Sequence, residues 1–212
     1  MKLGIVTGMV SEARLLDGLG FAVISGGGHA EATRRKTLAL AEGGVTTLVS
    51  FGIAGALDPT LKPGDLILAD GVQMPDGRVI ACDATQRDAI AAKFSARGGL
   101  VAGRSVAAGR VEKSTLFQQT GAIAVDMESH HVADVAAARG LPFVVIRAVA
   151  DTVDDELPEA ALVGLNEEGR PAIGAVLLSL LKKPWQLPGL IRVALRSRTA
   201  MNALLRSRAG LL

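Results

Sequence analysis

The feature that most constrains this chain is a short apolar run followed directly by glycine, repeated along its first quarter. Lys2–Thr7 runs into Gly8, Phe21–Ser25 into Gly26, Gly27 and Gly28, and Thr46–Phe51 into Gly52. Runs of strand length that are apolar at successive positions read as strands buried on both faces, which are found in parallel sheets covered by helices. Between them Glu31–Gly43 is built of good helix formers and closes on Gly43 and Gly44, a helix-ending signal. Leu66–Ala69, Leu100–Ala102 and Phe143–Ala150 read as further strands, and Ser129–Arg139 as a helix stopped by Gly140 before Pro142. Alternating strands and helices predict an α/β fold. With 3% aromatic residues, the core must be built from Ala, Val, Leu and Ile, and 212 residues with 49% apolar content are enough for one catalytic domain.

Open α/β sheets bind ligands in the crevice at the carboxyl ends of their strands. Gly8–Glu12, Gly26–His29, Gly52–Gly55 and Asp151 each follow a predicted strand. Gly8, Gly26, Gly27, Gly28 and Gly52 are therefore candidates for loops that bring backbone N–H groups close to a substrate or an anion. Glu12, Glu128 and Asp151 are the candidate acids, although each is also explained as an acid at a helix start or a loop cap. The lone Cys82 forms neither an internal disulfide nor a cysteine zinc site and fits a reducing cytosol. His29, His130 and His131 lack metal-ligand spacing and read as surface or loop residues, so no metal is expected. The apolar start is broken by Glu12 and Arg14, unlike a secretory signal. The longest apolar stretch, Ala172–Leu181, is too short to cross a bilayer.

Three segments carry a family resemblance: MKLGIVTGMVSEARLL, VSFGIAGALDPTLKPGDLILAD and AIAVDMESHHVADVAAARGLPFVVIRAVAD. Over roughly residues 1–155 they are similar to bacterial methylthioadenosine/S-adenosylhomocysteine nucleosidases and their phosphorylase relatives, the nucleoside phosphorylase and nucleosidase superfamily. The resemblance implies a three-layer fold over residues 1–183, with a central mixed, mostly parallel sheet flanked by helices. It implies cleavage of a purine–ribose bond without a cofactor, water or inorganic phosphate being the co-substrate, and a homo-oligomeric assembly. Glu128 would accept hydrogen bonds from the ribose hydroxyls, and Met127 would lie against the sugar face. A carboxylate there also steadies the positive charge of an oxocarbenium-like sugar. Asp151 would protonate N7 of the departing purine, which requires a carboxyl that keeps its proton through burial or through the neighbouring Asp154 and Asp155.

By the same resemblance Glu12 would activate the attacking water. Phosphorylases carry cations where this chain has Glu12 and Ser50, so hydrolysis is favoured over phosphorolysis. Ile53 stands where many relatives have serine, and Arg147 is implied to brace the acids. The link Gly18–Phe21 is shorter than in relatives, which leaves the ribose 5′ side more open, and base-stacking residues are expected around Gly109–Lys113.

Charge divides the chain. Residues 169–212 hold 8 of the 23 Lys and Arg and none of the 21 Asp and Glu. An acid-free basic segment suggests an anionic surface as partner. On a helical projection of Trp185–Arg206, Leu187, Leu190, Ile191, Ala194, Met201, Leu204 and Leu205 share an arc with Arg192 and Arg196 opposite, while Arg198 interrupts it. Residues 184–212 thus read as a basic amphipathic helical tail, lying on an anionic membrane or packed on the domain or a second copy. Nucleic acid is not expected as a partner, because no aromatic residues interleave the arginines. Together with VDMESHHVADVAAARGLPFVVIRAVAD, the tail LLKKPWQLPGLIRVALRSRTAMNALLRS resembles the hopanoid-associated phosphorylase subfamily. That implies adenosylhopane, a lipid-linked purine nucleoside, as substrate, and a cytoplasmic protein at the inner face of the membrane. A soluble methylthioadenosine/S-adenosylhomocysteine nucleosidase and a non-catalytic nucleoside- or membrane-binding protein remain as alternatives.

Overall fold

A computed structural model of the chain describes residues 2–104, 107–158, 161 and 173–212. The predicted strands appear as β1 (Leu3–Thr7), β2 (Ala22–Ser25), β3 (Thr47–Ala56), β4 (Leu66–Leu68), β7 (Leu100–Gly103) and β9 (Phe143–Asp151). Three short strands carried no sequence signal: β5 (Gly71–Gln73), β6 (Val79–Ala81) and β8 (Ala124–Asp126). The helices are α1 (Val10–Ala13), α2 (Ala30–Glu42), α3 (Ala84–Ala91), α4 (Arg110–Thr120), α5 (Ser129–Arg139), α6 (Ile173–Lys182) and α7 (Leu187–Ser207). The predicted apolar stretch begins at Ala172, which lies outside the described residues. Among the described residues no helix is long and apolar enough to cross a membrane.

The strands form one sheet that is mixed and mostly parallel, as expected. β1 pairs in parallel with β2 and β3, β3 with β9, and β7 with both β5 and β8. β8 on β3, β4 on β9 and β6 on β5 are antiparallel. One long strand organises the site. β9 follows one edge of β3 from Leu48 to Gly55, so β1 and β8 must share the other edge. β1 holds it from Thr47 to Ser50 and β8 only at Gly55 and Ala56. The stretch Phe51–Ala54 is thereby left between two strand ends, where loops from both can converge. Gly52, predicted to begin a loop, lies inside β3, because the apolar β-branched run simply continues past the glycine.

Helices cover both faces. On one, Val132 and Ala136 of α5 pack with Val6, Leu48 and Val145. On the other, Ala200, Ala203 and Leu204 of α7 pack with Ile5, Val144 and Ile146. Val144 and Ile146 facing one layer while Val145 faces the other is the two-residue alternation of a strand buried on both sides. Burying a leucine such as Leu204 contributes on the order of 1.5–3 kcal/mol, so the second half of α7 is part of the core.

The first half of α7 turns part of the projected arc outward. Arg196, placed opposite the apolar face, turns inward on the same side as Ala200 and Ala203 and pairs with Asp155. Leu187 and Ile191 of the projected arc are exposed, as are Leu195 beside it and Leu205 near the end of the helix. Small side chains let the helix approach β9 closely, and the half-buried Arg196 is matched by a carboxylate. The bulkier leucines and the isoleucine are left outside.

Candidate active site

β1 ends at Thr7 and the chain turns at Gly8 into α1, which carries Glu12 in its first turn. Glu12 is 2% exposed, and its carboxylate is fixed from both sides of the crevice. One oxygen accepts the N–H groups of Gly8 at 2.9 Å and Met9 at 2.8 Å, and the other accepts Ile53 N–H of β3 at 2.8 Å. Burial raises its pKa, opposed by Arg147 and by these three N–H groups. Gly52 lies directly beneath: a β-carbon there would collide with the Arg147 guanidinium and lie 2.7 Å from a Glu12 oxygen.

Arg147, in the middle of β9, is fully buried among acids. Its Nε donates to Asp126 at 2.8 Å, and its Nη2 to Ser50 at 2.6 Å and Ser129 at 3.1 Å. Glu128 lies 3.9 Å from the same nitrogen. Arg147 therefore braces the acids, as the resemblance implied, and its guanidinium fills the space at Ser50 where a phosphate-binding cation was found wanting in the sequence. Asp126 escaped the sequence reading. It accepts the N–H groups of Glu128 at 2.8 Å and Ser129 at 2.7 Å, capping the start of α5, and also takes the Arg147 bond. An aspartate two to three residues before a helix is an ordinary cap by sequence, and only the distant arginine makes it more.

Glu128 is held at the head of α5 with one oxygen 2.7 Å from where a Gly8 β-carbon would stand. Burial pushes its pKa up to about 8, with Arg147 pulling down and Asp126 and Glu12 pushing further up. Met127 reaches across the crevice toward Gly28, whose backbone is left-handed (φ 71°); a β-carbon there would lie 3.4 Å from the methionine methyl. Gly26 and Gly27 do not offer free N–H groups to a ligand. They donate to Thr7 O at 2.7 Å and Gly8 O at 2.9 Å, extending the β1–β2 pairing.

Asp151 ends β9 beside Gly55 of β3, whose β-carbon would lie 3.1 Å from the carboxylate. Its pKa is raised, because burial outweighs the opposing pull of Lys113 and Arg196. The expected support from neighbouring carboxylates is absent. Asp154 pairs with Arg110 at 3.3 Å on the surface, and Asp155 accepts Thr152 N–H at 2.8 Å and pairs with Arg196. Cations, not acids, surround Asp151. Lys113, in the segment expected to stack on the base, is instead fully buried with its ammonium on the Asp151 carboxylate. The inward face of α7, with Gly189, Arg192, Val193 and Arg196, leaves a space of about 20 Å³ in front of Asp151.

Two of the histidines depart from the surface or loop placement expected of them. His130 and His131 lie half-buried in the first turn of α5 with ring centroids 3.8 Å apart, and burial, with His130 alongside, holds His131 down at about 4. Glu12, Glu128, Arg147 and Gly8 are thus brought together at the ends of β1 and β8. Asp151 lies on the same strand as Arg147 and four residues along it, roughly 13 Å at strand spacing.

The phosphorylase superfamily model matches residues 6–182. S-adenosylhomocysteine nucleosidase from Streptococcus pyogenes, in complex with 5-methylthiotubericidin, superposes with a TM-score of 0.68 at 21% identity, over 86% of this chain and 96% of that one. The 5′-methylthioadenosine/S-adenosylhomocysteine nucleosidase of S. pneumoniae with a transition-state inhibitor gives 0.67 at 24% identity, over 86% and 99%. A futalosine hydrolase mutant from Helicobacter pylori gives 0.69 at 19% identity, over 99% of both chains. At these identities the likeness is one of fold.

Proposed function

This chain belongs to the phosphorylase superfamily, and from that premise we propose that it breaks the N-ribosidic bond of an adenine nucleoside. Glu128 and Met127 hold the ribose, Asp151 delivers a proton to N7, and Glu12 orients the attacking water. The observation that carries this reading is the convergence of the buried Glu12, Glu128 and Arg147 at the end of β1, where Gly8 and Gly52 have no side chains and so leave room for them. Leaving adenine as a neutral base rather than an anion is the step general acid catalysis accelerates, typically by about 10²–10⁴-fold. Hydrolysis is favoured over phosphorolysis because Arg147 is already surrounded by Asp126, Glu128 and Glu12 and has little charge to spare for a phosphate.

Adenosylhopane is the substrate we assign, with the protein placed at an anionic membrane. Supporting this are the exposed Leu181, Trp185, Leu187, Ile191 and Leu195 on a segment that carries cations and no acid. The second reading, a nucleosidase for methylthioadenosine and S-adenosylhomocysteine, draws on the fold shared with such enzymes. One experiment separates these. Purified protein is given adenosylhopane or each small thionucleoside, with and without phosphate, and adenine and the sugar product are measured. Adenine with a free ribose product from adenosylhopane is expected. Faster turnover of the thionucleosides would favour the second reading, ribose 1-phosphate would reverse the choice of nucleophile, and no adenine from any of them would reject the enzyme.

A further inference from the structure

Lys113 sits in α4, distant in sequence from every acid assigned above, and is completely buried. An ammonium has three N–H donors, and all of these are used: on the Asp151 carboxylate, on Thr152 O at 2.8 Å and on Asp155 O at 3.2 Å. None is left for a substrate, so Lys113 can act only through what it holds. What it holds is the carboxylate that the proposed reaction requires as an acid. Burial raises the pKa of that carboxyl against the opposing pull of Lys113 and Arg196, and the ammonium sets a further proton directly against it; the other groups facing it supply none. Arg196 of α7, which pairs with Asp155 and lies near Asp151, is a guanidinium and does not deprotonate in proteins. Arg192 has the same limit, and Glu156 only lines the space in front of Asp151. Asp155 is occupied by Thr152 and Arg196, Asp154 by Arg110, and Glu112 turns back to Ala108 N–H at 3.0 Å.

We propose that Lys113 is a positioning residue that stores the leaving-group proton: its ammonium passes a proton through Asp151 to N7 of the purine. This rests on the reading of Asp151 as the residue that meets the base. As the bond from the sugar to N9 breaks, its electron pair goes to the purine. The proton on Lys113 Nζ moves to the Asp151 carboxylate and the carboxyl proton to N7, so Asp151 ends as the carboxylate it began as. Lys113 is left as a neutral amine and adenine departs neutral. The sugar cation is captured by water, whose proton goes to Glu12 and then to solvent, and the amine recovers a proton from solvent after release.

The test uses leaving groups. 4-Nitrophenyl riboside departs as a stable phenolate and needs no proton, whereas an adenine nucleoside does. In Lys113→Met the rate on the adenine nucleoside is expected to fall about 10²-fold or more relative to the rate on 4-nitrophenyl riboside, the size of a lost general acid. Lys113→Arg keeps charge and donors but cannot give up a proton, and the same selective loss is expected. Equal losses on both substrates, or recovery of the adenine rate by the arginine, would make Lys113 an anchor for the 151–155 turn and overturn the proposal. Thermal unfolding of each variant identifies a failure to fold, and in that case Asp151→Asn is compared on the same two substrates. If Asp151→Asn shows no selectivity between the leaving groups, the assignment of Asp151 fails and the role of Lys113 fails with it. A selective loss in Asp151→Asn together with equal losses in the Lys113 variants overturns the role of Lys113 alone.

Discussion

Burial, joined by Asp126 and Glu12, pushes the Glu128 carboxyl up to about 8 from an ordinary value of 4.5, against the pull of Arg147. A carboxyl raised on folding is neutral in the native state where the unfolded chain would be ionised. Its contribution to stability is therefore fully present below 4.5 and is lost as pH rises toward 8. Thermal unfolding of the wild type is expected to show Tm falling across that window, and Glu128→Gln, neutral throughout, should flatten the fall. Parallel curves for the two proteins would contradict this environment for Glu128. Asp151→Asn tests the other end of the crevice. The amide keeps the shape but cannot relay a proton, so turnover of an adenine nucleoside should drop by about 10²–10⁴-fold while nucleoside binding, followed by calorimetry, persists. Turnover within a few-fold of wild type would remove Asp151 from the chemistry.

At the level of elements, the long strands and the acids at their ends were legible because each is marked locally. Val- and Ile-rich runs specify β1, β3 and β9, and Glu12, Glu128 and Asp151 stand where a strand gives way to a turn or a helix. Lys113, Asp126 and Arg196 were not legible, because their roles come from partners brought near by packing: Asp151, Arg147 and Asp155, each on another element. The short β5, β6 and β8 were missed for the same reason, since three residues carry too little pattern and their pairing depends on neighbours. Gly52 shows both sides. Its small size was read as an opening for a ligand, whereas β3 runs through it and the missing side chain makes room for Arg147 and Glu12. Those neighbours are buried and tied by hydrogen bonds, so they cannot yield. Gly52→Ala should destabilise by about 1–3 kcal/mol, as overpacking does, and lower activity with it. A denaturant midpoint unchanged from wild type would show that the crevice is looser than its bonds suggest.

Taken as a whole molecule, the protein has a C-terminal segment that faces two ways. Ala200, Ala203 and Leu204 are locked into the core, and Arg196 reaches Asp155 just past the end of β9. The outer side leaves Leu181 at 81% and Trp185 at 71% exposure, with Leu187, Ile191 and Leu195 continuing along α7. Large apolar side chains gathered on one exposed stretch mark an interaction surface. Lys182, Lys183 and Arg198 lie among them with no acid in the segment, so the charge suits anionic headgroups, each cation contributing about 1 kcal/mol near such a surface. Wild-type protein should therefore sediment with phosphatidylserine vesicles, less so with neutral phosphatidylcholine vesicles, and less at high salt, where screening weakens the attraction. The combined change Leu187→Ser, Ile191→Ser and Leu195→Ser alters only exposed side chains, so it should abolish sedimentation and leave Tm close to wild type. If vesicle binding survived, or if the triple variant instead turned a dimer into a monomer, the apolar face would belong to a second copy of the chain. A lipid-linked nucleoside would then have to reach Asp151 without this segment resting on the bilayer.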